Sequence, residues 1–107
     1  MTVAAFIERK ARQLAYYIKA FWRGDLPYRE VNLFFWDTLE EWINMSNRNA
    51  TPISSQERVF WHLMHQIHFW PQDTLLSDAV LKEELNRCVN FLENGGFCPF
   101  DCVGIRP

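Results

Sequence analysis

The sequence has no long apolar run. Its longest stretch without a formal charge, Val59 to Gln72, spans 14 residues and holds three histidines and a proline. That is too short and too polar to cross a bilayer, which takes about 20 consecutive apolar residues. An excess of one charge sign is also missing. Eleven Lys and Arg stand against 13 Asp and Glu in 107 residues, for a formal net charge of −2. Without the strongly basic face that a phosphate backbone demands, nucleic acid is not an expected partner. Cysteine is sparse and odd in number (Cys88, Cys98 and Cys102), which argues against a secreted disulfide framework. Glu8, Arg9, Lys10 and Arg12 break up the apolar residues near the start, so no secretory leader is read there. A cytoplasmic location is the resulting expectation, and Asn49-Ala50-Thr51 is read as a chance match to a glycosylation acceptor. Gly24, Gly95, Gly96 and Gly104 fit stops, turns and a tail rather than a phosphate-cradling loop. Strand-like alternation is nowhere sustained.

What the chain does have is aromatic bulk and helical periodicity. Nine Phe, five Trp and three Tyr sit in a chain that is 49% hydrophobic, enough to build a core without metal or disulfide staples. Four stretches repeat their apolar residues at helical spacing, which predicts helices at roughly 2–23, 26–45, 54–70 and 77–94. In the first, Val3, Ile7, Leu14, Tyr17, Ile18 and Phe21 share one face, opposite Arg9, Arg12, Lys19 and Arg23. Arg23-Gly24-Asp25 matches an integrin-binding string, but a helix stop followed by a helix start accounts for all three residues. Asp25 is expected to cap the second helix, with Pro27 in its first turn. There Tyr28, Val31, Phe35, Leu39, Trp42 and Ile43, widened by Phe34, Trp36 and Met45, cover more than half the wheel. A helix wedged between two others is the expectation. Its polar edge is an acidic stripe of Glu30, Asp37, Glu40 and Glu41.

Ser54 and Glu57 form a capping box that starts the third helix, and Trp70-Pro71 ends it. Residues 73–77 read as a short connection, with Ser77 or Asp78 capping the fourth helix ahead of a stop at Gly95-Gly96. Leu81, Leu85, Cys88, Val89 and Leu92 line the core side of that helix. Phe97, Phe100 and Val103 suggest a tail, 97–107, that packs back on the bundle. The predicted fold is a single all-α domain, a compact bundle of four main helices with short loops and an ordered C-terminal tail.

The third helix holds the most specific pattern, His62, His65 and His68 at successive i, i+3 steps. Neutral imidazoles are common zinc ligands, and Cys98 and Cys102 offer thiolates. A zinc site built from His62, His65, Cys98 and Cys102, or a pH-responsive module, is therefore one reading. Against it, Cys-x-x-x-Cys is not the tight knuckle spacing, and neither His-Glu-x-x-His nor Glu-x-x-His occurs. Catalysis is not expected, because no oxyanion site or thiolate-stabilising environment is signalled. The leading reading is a non-catalytic protein-binding module, such as an adaptor, a regulator or a toxin-neutralising (immunity-type) inhibitor, with no cofactor. Tyr16, Trp61, Phe69 and Trp70 fall off the core stripes, and eight arginines against three lysines suit an interface. Trp61 and Phe69 would anchor a partner, flanked by Trp70 and oriented by Arg58, His65 and His68. The stripe containing Glu30, Asp37 and Glu41 would steer a basic protein. A homodimer that uses the same face on itself is a further expectation.

Overall fold

The computed structural model describes residues 2–99 and 104–107. Among them the chain forms five α-helices and no strand: α1 (Val3–Trp22), α2 (Tyr28–Ile43), α3 (Ser55–Phe69), α4 (Gln72–Ser77) and α5 (Ala79–Asn94). The all-α bundle and its four long helices are as the periodicity predicts. Caps explain most of the boundaries. Thr2 Oγ1 accepts from the Ala5 amide at 3.1 Å, Ser54 Oγ from Glu57 at 3.1 Å, and Asp78 Oδ1 from Leu81 at 3.0 Å. Each satisfies an amide that a helix start leaves unpaired. At the other end, Gly24 and Gly95 turn to φ +81° and +74°, a left-handed conformation that glycine adopts without a Cβ clash.

Two boundaries and the packing of the tail differ from expectation. Residues 73–77 belong to α4 rather than to a loop, since Pro71 ends α3 and leaves the chain free to start a new turn at once. Helix α2 begins at Tyr28, and Pro27 occupies the cap position with no side-chain hydrogen bond. Asp25 instead pairs with Arg23 at 3.0 Å, so the Arg-Gly-Asp string is a helix stop tied to itself. Phe97 is 99% exposed and does not pack back on the bundle; Phe100 and Val103 lie outside the described residues.

Helices α1, α3 and α5 pack against one another, α2 lies on α1 and more lightly on α3, and α4 rests on α5. They share one apolar core. Phe6, Ile7 and Leu14 of α1, Phe60, Leu63 and Met64 of α3, and Leu85, Cys88 and Val89 of α5 are all buried. Burial of that many large side chains is the dominant stabilising term, at roughly 1.5–3 kcal/mol for each fully buried large apolar side chain. From α2 come Val31, Phe34, Phe35 and Trp42. Polar threads tie the helices laterally. Lys19 of α1 pairs with Glu93 of α5 at 2.9 Å, Trp22 Nε1 donates to the Leu75 carbonyl at 3.2 Å, and Tyr28 Oη donates to the Ile67 carbonyl at 3.1 Å. Lys10 is buried between Phe6 and Phe34 and pairs with Glu41. It is the basic residue of α1 that answers the acidic stripe of α2.

Candidate functional site

The predicted docking face divides along α3 into two halves with opposite fates. In the first half Trp61 is completely buried, at 0% exposure, so it is a core residue and not a surface anchor. Its ring meets Trp42 edge-on at 5.2 Å and Phe60 at 4.8 Å. Its indole N–H donates to Glu57 Oε2 at 3.0 Å. Trp42 reaches Trp61 from α2, and residues 104–107 cross the backbone of the first two turns of α3. The Gly104 amide donates to the Arg58 carbonyl at 3.2 Å. A Cβ on Gly104 would stand 2.3 Å from the His62 amide nitrogen and 2.5 Å from the Arg58 carbonyl oxygen, so only glycine permits this approach. Arg106 then reaches Glu57 with both ends of its guanidinium, with Nη2 2.8 Å from Oε1 and Nε on Oε2. Its Nη1 donates to the Thr51 carbonyl at 2.8 Å, and its Cζ lies 5.6 Å above the Trp42 ring. The Glu57 side chain, expected to complete a capping box, is thus spent on Trp61 and Arg106. That carboxylate raises the Arg106 pKa through its hydrogen bonds and charge, against a smaller opposing effect of burial.

The second half of α3 is open, and there the aromatic expectation finds its residues. His68 is exposed and stacks face to face on Phe35 at 4.3 Å, with Trp36 edge-on to it at 5.3 Å. Phe69 is 71% exposed and packs against the half-buried Trp70 at 5.0 Å, while Trp70 Nε1 donates to Gln66 Oε1 at 2.8 Å. Trp36 belongs to this patch at 51% exposure, with Leu33 and Ile43 also exposed on α2. Sequence reasoning had placed Trp36 and Ile43 inside a wedged helix. The signal against that was local: Asp37 and Glu40, one and four residues past Trp36, mark its side of the wheel as wet. Tyr16 is exposed on α1, well separated in the chain from this patch.

The acidic stripe borders the patch. Asp37, Glu40 and Glu41 are exposed and Glu30 is half-buried. With Leu33 and Lys10 they line an open groove of about 570 Å³ between α1 and α2. The outward surface of α2 is therefore two-toned, aromatic and apolar toward α3 and carboxylate-rich toward α1. Arg58 is exposed but sits in the first half of α3, beside the tail rather than beside Phe69.

The three histidines diverge. His62 is half-buried and His65 is exposed between the other two. Burial first, and then the charge of His65, pull the His62 imidazole below its usual range, with Glu84 pulling partly back. Cys98 is exposed and Cys102 lies outside the described residues. Among the described residues no three His, Cys, Asp or Glu side chains converge as a metal would require. None of their helices is long and apolar enough to cross a membrane.

The fold places the chain among all-α helical bundles, and comparison with known proteins adds no narrower class. No protein-family model, curated protein or solved structure matches it.

Proposed function

We propose that the protein is a non-catalytic binding module whose docking surface is the outward face of α2 together with the second half of α3. The observation that carries this reading is the exposed Trp36–His68 ring pair that joins the outward face of α2 to the second half of α3, where Phe69 is exposed as well. Aromatic side chains of this size supply most of the energy at protein interfaces, and contiguous exposed apolar surface marks binding sites. The adjoining Asp37, Glu40 and Glu41 select a basic partner and speed its approach. The same charge disfavours a homodimer through this face, because a two-fold axis would bring carboxylates of both copies together. An adaptor, a regulator and an immunity-type inhibitor all fit such a surface, acting in the cytoplasm without a cofactor.

The test is affinity capture with three baits: the wild type, Trp36→Ala/Phe69→Ala, and Asp37→Asn/Glu40→Gln/Glu41→Gln. A partner held by the wild type and lost from both variants supports the reading. Loss on raising salt should be steeper for the wild type than for the charge-stripped variant. A partner retained equally by all three baits means the surface lies elsewhere. Metal analysis of protein purified without a histidine tag addresses the zinc alternative, which stoichiometric zinc would restore.

A further inference from the structure

The environment of Arg106 is more elaborate than a tail needs simply to lie down. A guanidinium offers five N–H donors in a planar fork and a flat face. Here Glu57 takes two of the donors as a bidentate pair, the Thr51 carbonyl takes a third, and Cζ lies 5.6 Å over the Trp42 ring, within cation–π reach. Glu57 is itself 2% exposed and is held in position by the Trp61 indole. These partners come from α2, α3 and the loop between them, so the site belongs to the bundle and not to the tail. Apart from Arg106, residues 104–107 bury little side-chain surface. Of residues 104–107 only Gly104 is buried, Ile105 is 71% exposed, and Pro107 is exposed. A cavity of about 320 Å³ lined by Thr51, Pro52 and Glu57 opens alongside, giving another chain a way in.

We infer that Glu57, Trp42, Trp61 and the Thr51 carbonyl form an arginine-recognition site that Arg106 occupies in cis, and that an arginine side chain presented by a second polypeptide takes it when the tail lifts. The ligand class is a guanidinium on an extended peptide. Lysine does not substitute, because a point-like ammonium cannot pair bidentately with Glu57 and reach the Thr51 carbonyl at the same time. This site is separate from the α2 docking surface and does not depend on it.

The experiment uses the full chain carrying Arg106→Ala and two acetylated tetrapeptides, Gly-Ile-Arg-Pro and Gly-Ile-Lys-Pro. Fluorescence of the Trp42–Trp61 pair and the melting temperature are the readouts. The arginine peptide should bind saturably and raise the midpoint by on the order of 5 °C at about ten times its Kd. Binding of the lysine peptide should be at least about tenfold weaker, given the lost bidentate geometry. The wild type, with its site filled, should respond to neither at the same concentrations. If Arg106→Ala alone is unfolded, recovery of helical circular dichroism by the arginine peptide serves as the readout. The Arg106→Lys variant, which keeps the positive charge, gives the same comparison in a chain with its ion pair retained. Equal responses to the two peptides, or none in either variant, would overturn the inference.

Discussion

The two halves of α3 carry similar residues and meet different surroundings. Trp61 and Phe69 both lie off the main apolar stripe, yet one is fully buried and the other is 71% exposed. Helix geometry fixes the direction in which each side chain leaves the backbone, and nothing more. What decides burial is whether another segment arrives. Over the first half, the C-terminal tail and Trp42 arrive; over the second, Phe35 and Trp36 meet His68, and both His68 and Phe69 stay exposed. A wheel diagram therefore locates a second face without saying whether that face is a surface.

The sharpest way to break this comparison is to truncate both rings. Trp61→Ala should cost about 3–5 kcal/mol in urea denaturation, as removal of a buried indole does. Phe69→Ala should stay within about 0.5 kcal/mol, the usual range for surface changes. Similar losses at the two positions would mean that α3 is not divided as described. Next in size is Arg106→Ala, expected to cost about 3 kcal/mol because it strands the buried Glu57 carboxylate. Replacing Glu57 by Leu in the same chain should recover part of that loss, since an unpaired buried charge is worse than none. A smaller cost, about 2 kcal/mol, is expected for Gly104→Ala, whose methyl must push the tail off the α3 backbone. Amide exchange at Gly104 should quicken in that variant while exchange in α5 holds.

The smallest expected effect is a pH dependence that reports on His62 in the first half. His62 has its pKa lowered in the folded state, so above about pH 6.5 it is neutral whether folded or unfolded and contributes nothing. As pH falls below that value the unfolded chain takes up the proton first, and stability declines until the folded-state pKa is passed. His62→Gln should flatten the stability profile on the acid side of about pH 7. A profile unchanged by the substitution would place the titrating group elsewhere.

Much of the fold was legible because it rests on local rules. Spacing of apolar residues sets four helices, and Ser54 and Asp78 start two of them through their own side chains. Helix α4 was missed because six residues are too few to display a period. The candidate surface was half legible: His68, Phe69 and the carboxylates were foreseen, whereas Trp36 was assigned inward and Trp61 outward. The two errors differ in origin: Trp61 is covered by partners far away in the sequence, whereas the neighbouring Asp37 and Glu40 already mark the Trp36 side of α2 as wet. Glu57 and Arg106 are 49 residues apart, and no pattern near Glu57 announces a guanidinium. Glu57 also had a sufficient local explanation as a capping residue, which hid its distant one.

The position of α2 has a consequence for motion. Helices α1, α3 and α5 close on one another, while α2 leans on that triangle from outside and carries two buried polar atoms, Thr38 Oγ1 and Trp42 Nε1, without a hydrogen-bond partner among the described residues. A helix that packs more lightly than the triangle, with polar groups left wanting, opens at lower free energy than the triangle does. Its amides should exchange with solvent before those of the three-helix triangle. The helix that bears the candidate docking face is thus the one best able to adjust its tilt to a visitor while the remaining core stays closed.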